Sequence, residues 1–299
     1  MTATSEPDTR ARENSGYILG AIGVFIFGLT LPMTRMAVVD FDPVFVGLGR
    51  AILAAAIAAA ILIATRQPWP KRTDLKPLLI TSAGVVLGFP LLATTAMLYV
   101  PAAHGGVVIA VLPLATAVAG VIFAGERPSL GFWLCAIAGS LAVLTFSILD
   151  GGGITDAGYA DLLLAAAVVS AAIGYAQGGV LSRALGGWQV ICWALVIAVP
   201  ILVPIVWWFS GPINWNASLP AWTGFLYVAV LSQLVGFFAW NAGLARGGIA
   251  KVGQLQLFQA FVTIAAAAVL LGERITWLQV GFAVLVVAIV MIGRRMQVR

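Results

Sequence analysis

The stretch HGGVVIAVLPLATAVAGVIFAGER, residues 104–127, decides the fold of this chain. Residues 104–125 contain no Asp, Glu, Lys or Arg, and a helix of about 20 apolar residues is long enough to cross the hydrocarbon core of a bilayer. The apolar residues are continuous and do not alternate with polar ones, as they would in a strand of a membrane barrel. The stretch therefore predicts a transmembrane helix that ends at the charged turn Gly125-Glu126-Arg127.

The rest of the chain has the same apolar character. Of its 299 residues, 62% are hydrophobic and 9% are Asp, Glu, Lys or Arg, whereas a soluble domain has about 25% charged residues. The formal net charge is +5, which the loop lysines and arginines of a membrane protein explain without a nucleic-acid partner. Cys135 and Cys192 lie in apolar runs without a C-x-x-C spacing, so we expect neither a disulfide framework nor a metal site. This composition excludes most cytosolic enzymes, DNA-binding proteins and secreted disulfide scaffolds.

Apolar runs of the same kind recur along the chain and predict an all-α membrane protein with ten transmembrane helices. The spans are expected at about residues 17–38, 43–64, 77–98, 104–123, 129–148, 160–181, 187–209, 221–243, 250–271 and 276–293. The first run is too long for the core of a signal peptide, so we expect it to stay in the protein. Pro32, Pro90 and Pro113 each remove a backbone donor and predict interruptions in spans one, three and four.

The lysines and arginines predict the orientation of the helices. With the N-terminus in the cytoplasm, twelve of the sixteen lie on the cytoplasmic side, and only Arg274 lies in an opposite loop. The twelve are Arg10, Arg12, Arg66, Lys71, Arg72, Lys76, Arg127, Arg183, Arg246, Arg294, Arg295 and Arg299. By the positive-inside rule, both termini are therefore expected in the cytoplasm.

The charged turn occurs twice, after span four and again as Gly272-Glu273-Arg274 after span nine, 147 residues further on. Because each half holds five spans, an odd number, the second copy is expected to cross the membrane with opposite polarity. The predicted organisation is a cytoplasmic N-terminal tail (1–16), a first repeat (17–148), a periplasmic linker (149–159), a second repeat (160–293) and a cytoplasmic tail (294–299). We expect Glu126 and Glu273 to favour the N-termini of spans five and ten, which follow them in sequence.

Several stretches together resemble the ten-helix exporters of the drug/metabolite transporter superfamily, which are built from two EamA-type repeats. They are Phe27-Gly28 with Arg35, Pro43 with Arg50, Ala102-Ala103-His104-Gly105, Pro113 and the two Gly-Glu-Arg turns. The resemblance covers residues 17–293, and the aromatic-amino-acid exporters are the most similar branch. It implies a helix bundle whose central cavity is lined mainly by spans 1, 3, 4, 6, 8 and 9. It also implies export of metabolites such as amino acids across a bacterial inner membrane.

Uncharged polar residues within the spans are the candidate substrate contacts. In span nine, Gln256, Gln259 and Thr263 are spaced so that they share one helix face. Two amides and a hydroxyl supply donors and acceptors, which suits an amino acid or another zwitterion; hydrogen bonding between helices is the alternative role. The full set of candidates is Thr30, Thr34, Thr94, Tyr99, His104, Gln177, Gln233, Trp240, Asn241, Gln256 and Gln259.

Few charged residues lie within the spans. Arg50 lies about seven residues into span two, and Arg35 and Lys251 lie close to helix ends. Each of the three is expected either to have a functional role inside the membrane or to extend to the lipid headgroups and to helix carbonyls that lack a partner. Span one contains no Asp or Glu, which argues against proton exchange through a carboxylate in that helix. Asp161 is the remaining carboxylate candidate, and His104, the single histidine, is a group that could titrate near neutral pH.

The sequence therefore predicts a transporter that exports amino acids, aromatic ones among them, and related small metabolites by alternating access. No cofactor, metal or catalytic residue is expected, and the sequence has no ATP-binding loop. The expected partners are a small zwitterionic substrate and membrane lipid, with no nucleic acid, and the chain is expected to be a monomer or weak dimer. Three alternatives stay open: an anion or nucleotide-sugar translocator with Arg50 and Lys251 as counter-charges, a non-transporting membrane subunit, and an intramembrane enzyme that uses His104.

Overall fold

A computed structural model describes residues 6–125, 129–151 and 156–295 of the chain. Those residues form helices joined by short turns, with no strand among them. We label the long helices α1 Asn14–Ala37, α2 Phe45–Ala64, α3 Arg72–Ala96, α4 Ala102–Ala124, α5 Leu130–Gly151, α6 Gly158–Leu185, α7 Gly187–Phe209, α8 Leu219–Gly247, α9 Leu257–Leu271 and α10 Trp277–Arg295. A short helix, Ile249–Gly253, and a 3-10 turn, Gln254–Gln256, precede α9. Glu126, Arg127 and parts of the predicted tails and linker (1–5, 152–155 and 296–299) lie outside the described residues.

The predicted spans coincide with these helices. Seven of them, α1 to α4 and α6 to α8, are long and apolar enough to cross a membrane. The apolar parts of α9 and α10, Leu257–Leu271 and Trp277–Ile289, are shorter. The prediction of an all-helical membrane protein is therefore confirmed for the described residues, whereas ten crossings stay a prediction.

Glycines bring helices of the two halves into close contact. A Cβ added to Gly16 in α1 would lie 2.6 Å from the backbone nitrogen of Gly247 in α8. A Cβ added to Gly84 in α3 would lie 2.8 Å from the Cα of Gly174 in α6. Small residues let helix backbones approach this closely in membrane bundles, so a larger side chain at these positions would force the helices apart.

Helices of the first half pack extensively on helices of the second. α1 contacts α8, α3 contacts α6, α2 contacts α7, α4 contacts α9, and α5 contacts α10. If each helix is replaced by its counterpart in the other half, the pair α1–α8 becomes α6–α3. The pairs α2–α7, α4–α9 and α5–α10 stay the same. The pairing supports the predicted repeat and places a shared buried core between the halves. The opposite polarity of the two copies stays a prediction.

The helical structure changes at each of the three prolines. Pro32, Pro90 and Pro113 each lie in the first turn of a new helical segment within α1, α3 and α4. The first turn of a helix makes no use of the missing N–H, so proline is tolerated there. A turn breaks the helix before Pro32 and before Pro113, as predicted, whereas at Pro90 the helix continues from π-helix into α-helix without a break.

The two Gly-Glu-Arg turns share a backbone conformation at their glycine. Gly125 follows α4 with φ of 70°, and Gly272 follows α9 with φ of 65°. Glycine adopts this left-handed conformation with little strain. In the second turn, the Glu273 carboxylate accepts hydrogen bonds from the backbone N–H groups of Ala102 and Ala103, each at 3.0 Å.

Glu273 therefore caps α4 of the other half, and the expectation that it serves span ten is wrong. The start of α10 has its own reciprocal cap. The Thr276 N–H donates to the side-chain oxygen of Gln279, and the Gln279 N–H donates to the Thr276 hydroxyl, both at 3.2 Å. Because this pair already satisfies the first turn of α10, the carboxylate is available to the other half.

Candidate binding site between the two halves

A pocket lies inside the buried core, among helices of both halves. The residues that line it come from α1, α2, α3, α6, α8 and α9. They are Phe27, Thr30, Arg50, Val85, Phe89, Tyr175, Ser232, Gln233, Phe237 and Gln259. The cavity between them is small, about 10 Å³, which is room for about one water molecule, so the lining side chains close around one another in this conformation.

The set of lining helices differs from the one that the family resemblance implies. α2 contributes Arg50 to the pocket, whereas none of the lining residues comes from α4. α4 instead packs on α6 and α9. Five of the six implied helices line the pocket. The sixth lining helix is α2 instead of α4, and it contributes the positive charge of Arg50.

Most of the uncharged polar side chains of the pocket are held by other protein groups. The Thr30 and Ser232 hydroxyls lie 2.8 Å apart, and the Gln233 amide donates to the Val85 carbonyl at 3.1 Å. Gln259 differs, because its side-chain oxygen Oε1 is buried and has no hydrogen-bond partner. The pocket therefore presents one unused acceptor.

Arg50 is the charged residue of the pocket. It is 2% exposed, and its Nε and Nη1 atoms are buried without a hydrogen-bond partner. The lining residues include no Asp or Glu. Arg50 is therefore too deeply buried to reach the lipid headgroups, one of the two roles that its sequence position left open. A buried guanidinium without a counter-charge makes this pocket a candidate functional site.

Aromatic rings form the apolar part of the pocket. The ring centroid of Phe27 lies 6.1 Å from that of Tyr175 and 5.0 Å from that of Phe237. Trp240, which is fully buried, extends this cluster with its ring 5.5 Å from Tyr175. The Trp240 indole nitrogen has no partner. An apolar or aromatic part of a ligand would find favourable contacts here.

Widened helical turns position several pocket residues. α2, α3 and α8 each contain a stretch of π-helix, at Phe45–Gly49, Ser82–Gly88 and Tyr227–Val235. Arg50 directly follows the first stretch, and Gln233 lies in the third. π-helical turns are rare in proteins, and those that occur are often found at functional sites. They do not follow from the apolar pattern, so sequence reasoning missed the way that they rotate side chains into the pocket.

The structure brings three of the predicted contacts together in the pocket. Thr30, Gln233 and Gln259 line it, and Trp240 adjoins it through the aromatic cluster. The lining residues that were not among the predicted contacts are Arg50, which was considered as a charged residue, Val85, Ser232 and the aromatic residues Phe27, Phe89, Tyr175 and Phe237. The apolar pattern of a buried helix gives no signal that separates an aromatic side chain in the core from one that lines a cavity.

Two further candidates make contacts between helices. The Asn241 amide donates to the Gly187 carbonyl at 3.2 Å. Gln256 accepts a hydrogen bond from the Thr116 hydroxyl at 3.4 Å, and its Nε2 atom has no partner. Thr263, on the same face of α9, donates to the Gly28 carbonyl at 2.7 Å. The polar stripe of span nine is thus divided between helix contacts and the pocket.

The other candidates lie away from the pocket. Thr34 and Thr94 are buried, and Gln177 is partly buried. Tyr99 is 45% exposed, and its ring packs on that of Tyr159 at 5.6 Å. Their assignment as substrate contacts stays a prediction.

His104 and Asp161 form a buried pair between α4 and α6. The His104 Nε2 atom lies 2.7 Å from a carboxylate oxygen of Asp161, and the imidazole packs on the ring of Phe146. The pair joins the two halves. Within the described ranges, no group of three or more His, Cys, Asp or Glu side chains is placed to hold a metal ion.

A wider cavity of about 340 Å³ lies at one end of the bundle. We call this the Asp40 end; its cavity is lined by Arg35, Met36, Val39, Ser218, Pro220, Leu271 and Glu273. Arg35 donates to the Met97 carbonyl and, at 3.1 Å, to the Val100 carbonyl. Ser218 donates to Asp40 from its backbone N–H at 2.8 Å and from its hydroxyl. These two hydrogen bonds lower the pKa of the Asp40 carboxyl.

Comparison with known proteins assigns this architecture. The sequence matches the EamA-like transporter family twice, over residues 14–148 and 158–293. It is 46% identical over 285 residues to the "Uncharacterized transporter YdeK" of Bacillus subtilis (strain 168), covering 95% of this chain and 98% of that protein. A crystal structure of another protein, 17% identical, has a TM-score of 0.67 over 95% of this chain and 99% of that one, which shows the fold alone.

Two more distant relatives carry substrate descriptions. One is the "Probable terminal-alkyne amino-acid exporter" of Streptantibioticus cattleyicolor, 28% identical over 82% of this chain and 81% of that protein. The other is the "Probable amino-acid metabolite efflux pump" of Salmonella typhimurium, 41% identical over 21% of this chain and 21% of that protein.

Proposed function

The chain belongs to the EamA-like transporter family, and we propose that this transporter exports amino acids, aromatic ones among them, and related small metabolites. The observation that carries the proposal is the pocket between the halves, which combines the Gln259 acceptor, the Arg50 donors and an aromatic cluster. A zwitterion with an apolar side chain needs these three kinds of contact. Two relatives that are described as exporters of amino acids or their metabolites support the same substrate class.

Transport by alternating access suits a pocket between two halves that pack on each other throughout. At the Asp40 end, the Glu273 carboxylate holds the first turn of α4, so release of this contact would loosen the bundle there. We propose that the Asp40 end faces the periplasm, that both termini are cytoplasmic, and that the protein lies in a bacterial inner membrane. In this proposal it acts as a monomer or weak dimer, without a cofactor and without catalysing a reaction.

The test is a transport assay with purified protein in liposomes, with each of the twenty amino acids and with or without an imposed pH gradient. Gln259→Ala removes the unused acceptor, and we expect about a tenfold or greater loss of transport with unchanged thermal stability in detergent. Gln67→Ala, in the loop after α2, is the matched control and is expected to transport normally. Equal transport by Gln259→Ala and wild type would remove this residue from the site, and absence of amino-acid flux in the wild type would refute the proposal.

A second candidate, an anion translocator, is favoured by one observation, the buried positive charge of Arg50. Competition separates the two. If phosphate compounds inhibit flux more strongly than amino acids do, the anion translocator replaces the amino-acid exporter.

A further inference from the structure

We propose that Arg50 binds the carboxylate of the transported molecule, so that the substrates are small carboxylates and not amines or other organic cations. This inference rests on the proposed function, because it takes the pocket to be the transport site. It goes further by naming the group that the pocket requires of every substrate.

The burial of Arg50 is the first step of the argument. Transfer of a cation into the protein interior costs several kcal/mol unless a counter-charge and hydrogen bonds offset it. Arg50 is 2% exposed, and its Nε and Nη1 atoms are buried with no hydrogen-bond partner. None of the residues lining its pocket is acidic. The missing partner is therefore an anion that comes with the ligand.

The geometry of a guanidinium favours a carboxylate as that anion. Its N–H donors lie in one plane and form charge-assisted hydrogen bonds that are stronger than neutral ones. The neighbouring groups then complete a site for an amino acid. Gln259 Oε1 can accept from an ammonium group, and the rings of Phe27, Tyr175 and Phe237 can cover an apolar side chain.

The same pocket excludes a cation that lacks a carboxylate. Such a ligand would bring a second positive charge beside Arg50, and like charges repel strongly in a site of low dielectric constant. The Gln259 amide cannot neutralise it. A carboxylate without an ammonium group loses one hydrogen bond to Gln259 and keeps the ion pair, so it still binds.

The stability of an Arg50 variant separates a binding role from a structural one. Removal of a buried charge that has no partner is neutral or stabilising, whereas removal of a structural arginine leaves its partners unsatisfied and destabilises the fold. We therefore expect Arg50→Gln to unfold in detergent at the same temperature as the wild type or at a higher one.

The experiment uses three probes of similar shape: phenylalanine, 3-phenylpropanoate, which lacks the amine, and phenethylamine, which lacks the carboxylate. Binding is measured as ligand-induced thermal stabilisation in detergent, and flux is measured in liposomes. The variants are Arg50→Gln and, as a matched control, the exposed Arg183→Gln at the end of α6.

For the wild type and the control, we expect phenylalanine and 3-phenylpropanoate to bind and phenethylamine not to bind. In Arg50→Gln, affinity for the two carboxylates falls by about tenfold to a hundredfold, as expected for loss of a hydrogen bond to a charged group. Phenethylamine binding equal to that of phenylalanine, or normal phenylalanine transport by Arg50→Gln, overturns the role of Arg50 and leaves amino-acid export intact. No binding and no flux of any probe, together with no flux of any of the twenty amino acids in the wild type, overturns both.

Discussion

The central pocket and the Asp40 end each contain an arginine, and the two differ in their hydrogen-bond partners. In the pocket, Arg50 is buried and its Nε and Nη1 atoms have no partner. At the Asp40 end, Arg35 is partly buried and donates to the Met97 and Val100 carbonyls. Both residues are arginines in helices of the first half. The surroundings and not the residue type therefore distinguish an arginine with carbonyl partners from one whose donors are unpaired.

The same difference extends to the other polar groups of the two regions. At the Asp40 end, the carboxylates of Asp40 and Glu273 accept hydrogen bonds from groups of the other half. In the pocket, Gln259 has an unpaired side-chain oxygen. We expect substitutions at the Asp40 end to lower stability and those in the pocket to lower transport.

The largest loss of stability is expected for substitution of His104, which lies in the first turn of α4, near the Asp40 end. His104→Ala removes one hydrogen bond, 2.7 Å long, from the buried Asp161 carboxylate. Loss of a hydrogen bond to a charged group costs about 1.5 to 3 kcal/mol. The effect is read as a lower unfolding temperature in detergent, and Asp161→Asn, which replaces the carboxylate with a neutral amide of similar shape, should be milder. Full stability of His104→Ala with lost transport would move the pair into the functional region.

A smaller loss is expected when Glu273 no longer carries a charge. Glu273→Gln keeps the size of the side chain, but only one of its two former acceptor oxygens remains for the N–H groups of Ala102 and Ala103. Loss of such a helix cap costs about 1 to 2 kcal/mol. Denaturant unfolding in micelles measures the change, and Gln67→Ala is the control. If Glu273→Gln alters substrate selectivity, the division between the two regions breaks down.

The smallest effect is expected at Asp40, where Ser218 holds the pKa of the carboxyl below its usual value. A lowered folded-state pKa stabilises the fold above the unfolded pKa, near 4, and this contribution is lost as the pH falls through the lower folded pKa. Asp40→Asn should lower the unfolding temperature slightly at pH 7 to 8, and the difference from the wild type should disappear as the pH falls through that acidic window. A change in transport at neutral pH would show that Asp40 does more than join its loop to α8.

Much of the fold follows from local patterns. Apolar runs predicted the positions of the helices, and Pro32 and Pro113 predicted the interruptions of two of them. The residues of the candidate site were harder to predict from the sequence. Gln233 and Gln259 were chosen because they are polar within a span, but Asn241 satisfied the same rule and bonds the Gly187 carbonyl instead. A polar side chain on a membrane helix can contact a neighbouring helix, line a cavity or, like Gln233, do both, and the local sequence is the same in each case.

The sequence by itself determined that this chain is helical and membrane-embedded and that its charged turn recurs, because hydrophobic length and motif repetition are properties of neighbouring residues. Only the tertiary structure decided which groups meet. Glu273 reaches Ala102 across 171 positions, and His104 reaches Asp161 across 57. The same packing left Arg50 buried without a counter-charge, since burial and partners depend on how distant helices pack. From the sequence, Arg50 could have been a functional residue or one that reaches the lipid headgroups; the packing places it in the candidate site.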